Sequence, residues 1–487
     1  MKQCYDVCVV GGSGAGLSAA IRAAEQGASV ILLEKMPTTG GCTKMSGGIF
    51  GLNSALQKAE GLAFDVDAMF KELMQIENWN CNGKLVRKWL KGAQRNIDWL
   101  AELGVEFCEV CNMSIYGENV RRFHHVTADR VTGLNIWKAL LKRVEELPVE
   151  LYTKAPVKEL LVNDAGQCCG VKAEIEGELT EIRAKSVVLA TGSISANKDL
   201  VRRFLGHADY DNVRIMAGVP HCTGDGLIMA EKIGAKIGTV SILFIGPHNH
   251  YPGASEAVGC LPRRPEPVMV NRNGERFVDE AMAGNGEYGW MSSVAVDYQP
   301  GKVCYSIMDE ALLCRYIEER RVYRYSESRR NRNDKYPGEW FDRLRSDIVK
   351  EEEAGRAAVC ATLEEAAAFI GCDAETLKET MAVYNDYACT GYDDEFLKDP
   401  KYMVPFETPP YYVFVGHTGI DTFIGGVQID HEQRVLNKEG RPIPGLFGAG
   451  VVTSGVLSHH YGFPGTEMSY TLYSGQEAGL NAAAYAR

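Results

Sequence analysis

The apolar run Val7-Cys8-Val9-Val10 predicts a strand buried on both faces, as in a parallel sheet. Six residues rich in glycine follow, and Leu17 to Glu25 then places its apolar side chains at helical spacing. A second apolar run, Ala28 to Leu33, predicts another strand and ends at Glu34. Residues 64–105 are helical by period, with Trp89, Ile97 and Leu100 on apolar faces. Leu134 to Leu147 predicts an amphipathic helix, and Val149 to Thr180 alternates as strands around the turn Asn163-Asp-Ala-Gly166. Ala184 to Ala190 reads as a buried strand closing on Thr191-Gly192. From about 240 to 345 the period weakens, and Pro, Tyr and Arg cluster. Thr362 to Thr390 is helical again. Gly425 to Asp430, a hairpin through Asn437-Lys-Glu-Gly440 and Leu446 to Gly450 return to strand and Gly-rich loop. Gly462 to Gly465 opens a final helix.

The strand, glycine turn, helix, strand and acid of the first 35 residues form one chemical unit. Gly11, Gly12, Ser13, Gly14, Ala15 and Gly16 let the chain turn tightly and bring its backbone close to a pyrophosphate. The helix that follows offers unpaired N–H groups and a partial positive charge to phosphates. Glu34 lies at the spacing where an acid accepts hydrogen bonds from a ribose. The unit implies an ADP-containing dinucleotide.

Length and composition bound the remainder. A chain of 487 residues suggests two or three domains, and 45% hydrophobic with 24% charged residues is usual for a globular protein. The net charge of −12 argues against nucleic acid and anionic membrane surfaces as partners. The basic stretch Arg315 to Arg332 is interleaved with Glu318, Glu319, Glu327 and Asp334 and reads as a solvated face. No apolar run approaches the ~20 residues of a membrane span. With no export signal before the first strand, fifteen cysteines suggest a reducing, cytoplasmic setting. Cys108-x-x-Cys111 has no second CxxC to complete a cluster site, and no His/Cys/Asp set has metal-ligand order. The expected organisation is a dinucleotide-binding domain whose first segment is 1–240. A substrate or capping domain spans 241–345, and a helical connection with the second dinucleotide segment spans 346–487.

With these motifs in view, the chain resembles the fumarate reductase and 3-ketosteroid dehydrogenase flavoproteins almost end to end. Gly11-Gly-x-Gly14-x-Gly16 with Glu34 resembles the family's FAD site, and Thr39-Gly40-Gly41 followed by Ser46-Gly47-Gly48 resembles its second flavin loop. Ala190-Thr191-Gly192, Thr223-Gly-Asp225-Gly226 and Val270-Asn-x-x-Gly-Glu-Arg-Phe277 with Glu280 look like internal motifs. Thr422-x-x-Gly425-Gly426-Val, Arg441 to Gly450, and Gly475 to Gly479 resemble the C-terminal FAD signature. Lys35 and Ser469 complete the expected FAD contacts, and Val451 stands where many members carry an acid. The resemblance implies an α/β protein with a discontinuous Rossmann-like FAD-binding domain and an inserted α+β capping domain. It implies non-covalent FAD and hydride exchange between flavin N5 and a carbon beside an activating group.

Two branches of the family differ in how they hold substrate. Fumarate reductases anchor a dicarboxylate with His and Arg. Here Gly462 and Leu312 stand where those arginines are expected, with Arg315 one helical turn further on. Tyr461-Gly-Phe-Pro-Gly465 instead looks like the ketosteroid dehydrogenase run in which a Tyr hydroxyl and a Gly N–H hold the ketone. Carried over, Tyr461 and Gly465 form an oxyanion hole. Tyr288, a few residues beyond Asp279-Glu280, is the candidate for proton transfer, and a phenol donates more readily than it abstracts near neutral pH, which leans toward C=C reduction. His459 is a further catalytic candidate, and His124, His125, His248, His250 and His460 are weaker ones. The leading expectation is an oxidoreductase acting on an enone or ketone, steroid-like ones included. An ene-reductase of an unsaturated carboxylate and an electron-transfer flavoprotein subunit remain open. Without a CxxCH haem motif or second dinucleotide fingerprint, electrons come from a partner, a diffusible carrier or NADH visiting the pocket.

Overall fold

A computed structural model describes residues 4–111, 122–126, 132–205, 214–215, 220–248, 255–259, 261–284, 289–320, 338–457, 463 and 465–487. Its first sheet has the strand order Arg434–Leu436, Pro442–Gly448, Glu178–Leu189, Tyr5–Val10, Val30–Leu33, Val149–Tyr152. The five strands from Pro442–Gly448 to Val149–Tyr152 are mutually parallel. All four residues of Val30–Leu33 are buried, as an apolar run between two neighbours requires. Val157–Val162 and Cys168–Ile175 extend the sheet as an antiparallel hairpin onto Glu178–Leu189. The turn between them uses Asn163, whose Oδ1 accepts from Ala165 and Gln167 N–H groups.

The chain ends meet on this sheet. The helix Gly14–Glu25 lies against the last helix, Thr466–Ala486. A Cβ on Gly475 would stand 2.3 Å from the Ala15 carbonyl oxygen, and one on Gly479 would stand 2.2 Å from that of Ala19. Only glycine permits so close a crossing. The nucleotide fold is therefore discontinuous, and its second segment supplies both a strand and a covering helix.

The second sheet is organised by one long strand, Tyr411–Gln428. Its first half pairs antiparallel with Val303–Asp309 on one edge and Ala357–Cys360 on the other, and its second half pairs with Ile237–His248. The sequence pattern predicts a strand only from Gly425. The strand begins earlier because aromatic and β-branched residues fill Tyr411 to Val415, where Val413 and Phe414 are fully buried. These residues pack in a core running from Val258 to Phe414, which includes Leu344, Ile348, Leu377 and Tyr384. Arg345 itself is exposed, on the helix Gly338–Glu353 that contributes Leu344 and Ile348 to that core. Ile424 and Val427 belong to the core under the first sheet, so one strand ties the two together.

The predicted helix 64–105 is two helices, Val66–Ile76 and Gly83–Glu102. Asn78 and Trp79 take positive φ between them, and Asn82 caps the second through a 3.3 Å bond from Leu85 N–H. Thr362 to Thr390 is likewise interrupted, at Gly371 (φ 81°), with Asp373 capping the second piece. Among the described residues no helix is long and apolar enough to cross a membrane. In the basic stretch, Arg320 pairs with Asp342 at 2.7 Å; residues 321–337 lie outside the described residues.

The second core contains charge. Arg276, with a side chain 1% exposed, reaches Glu280 at 3.0 Å and Asp393 at 2.8 Å. Lys398 Nζ lies 3.3 Å from Glu280 and also bonds the Glu266 carbonyl at 3.1 Å. Burial pushes the Glu280 carboxyl upward, but Lys398 and Arg276 outweigh it and hold it below its ordinary value. The Arg276-Phe277 motif with Glu280 therefore staples the second core. Arg276→Met removes the cation beside buried Asp393 and leaves Glu280 with Lys398 alone, and should cost about 3–5 kcal/mol, read as a lower urea midpoint. Arg272→Ala, in the same segment but exposed, should leave the midpoint within error.

Candidate functional site

Parallel strands that end at one level create a crevice there. Val10 registers with Leu33 and with Leu189, and Leu189 registers with Gly448. The next residues, Gly11, Glu34, Ala190 and Ala449-Gly450, therefore converge, and all of them line one cavity of about 620 Å³. Gly11 has φ +103°, and a Cβ there would lie 2.4 Å from the Ala190 carbonyl oxygen. A Cβ on Gly16 would lie 1.8 Å from the Gly11 carbonyl oxygen, so the helix packs onto the turn itself. Gly12, Ser13 and Ala15 face the cavity. Gly14 does not: its N–H donates to Thr43 Oγ1 at 2.9 Å.

Glu34 is fixed at every polar atom of its backbone and by its carboxylate. Its N–H donates to the Tyr152 carbonyl, and its carbonyl accepts from Ala155 N–H. Oε2 accepts from Gly12 N–H at 2.7 Å, and Oε1 accepts from Met36 N–H at 2.8 Å. Each oxygen keeps a lone pair for a hydroxyl. Lys35 leaves the same strand end and donates to Asp225 at 2.7 Å and Thr223 at 2.8 Å. Asp225 opens the helix Asp225–Lys232.

The second loop closes the cavity from above. Gly40 N–H donates to the Gly12 carbonyl at 2.8 Å, which lays Gly41, Cys42 and the Ser46-Gly47-Gly48 run along the wall. Trp137 Nε1 donates to Thr39 Oγ1, and Lys44 stacks on the Trp137 ring at 4.0 Å. Thr191, Gly192, Cys222, His221 and Thr422 form the facing wall. At the far end Gly465, φ +80°, begins the last helix and also lines the cavity; its carbonyl accepts from Phe50 N–H.

This arrangement fits a dinucleotide. Three helix N-termini, at Ser13, Asp225 and Gly465, present partial positive charge to one space. Ser13 makes no capping bond with its side chain, which leaves the first turn open toward the cavity. The Thr191 Oγ1 and His221 Nε2 atoms are buried on this wall without a hydrogen-bond partner. A bound polar molecule satisfies such atoms; an empty interior does not. Burial lowers the His221 pKa, outweighing the Glu34 charge, so the imidazole stays neutral.

Most predicted cofactor residues thus meet in one place. Gly14, Gly16, Gly40, Gly426 and Ser469 are not on the wall. Gly426 packs under it, where a Cβ would stand 2.5 Å from the Val452 carbonyl oxygen. Ser469 Oγ accepts from Trp89 Nε1 at 3.2 Å in the interior. Of the catalytic candidates Gly465 and His124 are placed, and only Gly465 lines the cavity. Tyr461, Tyr288, His459, His460 and His250 lie outside the described residues, as do the side chains of His125 and His248. His124 is fully buried and bonds Ser54 Oγ at 2.7 Å, which makes it a structural residue. Among the described residues no group of His, Cys, Asp or Glu is arranged to hold a metal ion. The sequence reading missed Cys42, Thr43, His221 and Cys222. The signal was their adjacency to Gly40-Gly41 and to Thr223-Gly-Asp225.

Gly12→Val should abolish flavin retention, because its Cβ already meets Thr39 Cγ2 at 2.9 Å and Glu34 Cβ at 3.2 Å and the branched side chain must project into the cavity. Flavin absorbance per protein after gel filtration measures it, with circular dichroism confirming the fold.

Comparison with known proteins agrees with this geometry. The FAD binding domain family matches residues 6–466. The vinyl phenol reductase of Lactiplantibacillus plantarum is 30% identical over 99% of this chain and 97% of its own. A flavocytochrome c3 fumarate reductase structure is 27% identical and superposes with a TM-score of 0.74, covering 100% of this chain and 79% of that one. A 3-ketosteroid Δ1-dehydrogenase from Sterolibacterium denitrificans, at 20% identity, shares the fold with a TM-score of 0.78 over 99% of this chain and 100% of its own. With the cavity, the open glycine turn and the near full-length match in agreement, the chain belongs to the FAD binding domain family and is an FAD-dependent oxidoreductase.

Proposed function

We propose that this protein reduces a C=C bond conjugated to a neutral oxygen function, an enone or a vinyl phenol, with electrons delivered by an external donor or carrier. The observation that carries the reading is the identity of the cavity's cations. Among the described lining residues they are Lys35 and Lys44, both on the loop after the second strand. Lys35 is held by Asp225, and Lys44 lies over Trp137. Neither position expected to carry an anchoring arginine does so. Leu312 is buried, with its N–H bonded to Asp309, and Arg315 lies 3.9 Å from Glu266. The similarity to the vinyl phenol reductase supports a neutral substrate.

FAD, when bound, supplies the two-electron hydride chemistry. The chain's own residues do the rest. Gly11, Gly12, Ser13, Ala15, Gly47, Gly48, Ala190, Gly192 and Gly450 form the cradle, Glu34 receives the ribose, and Thr191, Lys35 and Ser46 complete the polar wall. The Gly465 N–H, at the positive end of a 21-residue helix, and the Tyr461 hydroxyl hold the substrate oxygen. With an enone, two neutral donors stabilise the enolate charge that grows on that oxygen as the β-carbon accepts hydride. Tyr288 or His459 returns the proton to the adjacent carbon.

The deciding experiment is anaerobic. The reduced holoenzyme is mixed in turn with a cyclic enone, a vinyl phenol and fumarate, and flavin reoxidation is followed. Rapid reoxidation by the first two is expected, with fumarate turnover below roughly 10 s⁻¹. Fast fumarate turnover would favour the unsaturated-carboxylate reading; reoxidation by one-electron dyes alone would favour the electron-transfer subunit.

Tyr461→Phe should lower kcat on the accepted substrate by about 10²–10³-fold with FAD content unchanged. Tyr288→Phe tests proton return separately, and its loss should combine non-additively with the first, since both act on one transition state. Full activity in the Tyr461 variant would remove the oxygen-holding role.

A further inference from the structure

Cys42 and Cys222 stand 180 residues apart in sequence, yet their Sγ atoms approach to 3.7 Å on the cavity wall. They belong to different wall segments. Cys42 is half-buried on the turn Gly41–Met45, which covers the cavity after the second strand. Cys222 is 3% exposed in the stretch leading to the Asp225 helix, with its carbonyl accepting from Ala196 N–H at 2.9 Å. The Lys35–Asp225 ion pair joins the same two segments a few residues away. The other described cysteines make no such Cys–Cys contact across the cavity, and those of the two cores, such as Cys8 and Cys360, are buried with thiols pushed up.

We propose that Cys42 and Cys222 are a dithiol latch on the FAD cavity: a small-molecule disulfide oxidises the pair, and the resulting bridge fastens the two wall segments and slows FAD release. The inference rests on FAD occupying this cavity. In the first step Cys42, the more accessible thiol, attacks the small disulfide and releases one small thiol. In the second, the Cys222 thiolate attacks Cys42 Sγ and expels the second small thiol. The protein loses two hydrogens and two electrons, and the reagent gains them as two thiols. The environment suits these roles. In the dithiol, the neighbouring Cys42 thiol, with help from Ser193, Ser195 and the Lys35 charge, lowers the Cys222 thiol to about 7 against its burial; once Cys42 is a mixed disulfide, the Ser193, Ser195 and Lys35 contributions remain to favour the Cys222 thiolate. Closing the gap to a bond of about 2.05 Å needs a shift that the turn carrying Cys42 can absorb, since Gly40 and Gly41 precede it with φ of 108° and 45°.

The test uses purified holoenzyme and glutathione disulfide. Intact mass should show the loss of two hydrogens, and digestion should give one cross-linked peptide joining residues 42 and 222. Release of FAD into a mildly chaotropic buffer, followed by flavin fluorescence, should become about tenfold slower. Dithiothreitol should restore the original rate. Cys42→Ser and Cys222→Ser should keep their FAD and show no slowing; if either fails to fold, the wild-type mass and its reversal by dithiothreitol still decide. A persistent glutathione adduct on Cys42 with Cys222 still alkylatable would overturn the latch. So would a cross-link that leaves FAD release unchanged. A colourless protein without affinity for FAD would instead overturn the placement of the cofactor, whatever the thiols do.

Discussion

Everything at this site depends on backbone meeting backbone where the parallel strands end. Gly11, Gly16 and Ala190 approach one another more closely than any side chain allows, and the first helix is seated directly on the strand turn. That contact aims a helix N-terminus into the crevice and brings Glu34 to its rim. The last helix is pressed onto the first by the same device, through Gly475 and Gly479. A dinucleotide site built this way needs few specific side chains, because the polar partners are peptide groups held rigid by the sheet.

Electrostatics sort the cavity along its length. The Glu34 end carries the fixed carboxylate, the Lys35–Asp225 pair and Lys44. The Gly465 end has a helix N-terminus, and the described cations of the wall lie elsewhere, on the loop after the second strand. A protein with a net charge of −12 does not collect anions by its overall field, so selectivity for phosphate must be local. At the Gly465 end the partial charges are those of peptide dipoles, which can stabilise a developing oxyanion without a permanent counter-charge.

The two cores are joined through one strand and kept distinct by chemistry. Tyr411–Gln428 crosses from a core that buries the ionic cluster of Arg276, Glu280, Asp393 and Lys398 to one that buries Ile424 and Val427. Buried charges of this kind are satisfied in one arrangement only. They tie the edge strand Val268–Val270 to the segment after the helix Ala374–Thr390, through Met269 N–H to Glu280 and Lys398 to the Glu266 carbonyl.

The sequence by itself determined the local units: the first strand, the glycine turn, the helix and the acid at Glu34, the Asn163 turn, and the final helix. Each is set by short-range rules of spacing, φ and capping, and these rules survive without a tertiary context. Helix breaks were less legible, because Asn78 and Trp79 adopt positive φ without glycine, and the long strand was truncated because its first half is apolar for a core that only folding creates. Tertiary structure alone decided which glycines face the cavity and which pack beneath it, since Gly14 and Gly12 are alike in sequence and differ only in what stands opposite them. It alone assigned Arg276 and Glu280 to a structural cluster, and it alone brought Cys42 to Cys222. Contacts between residues so far apart depend on how sheets and helices stack, and no periodicity along the chain records that.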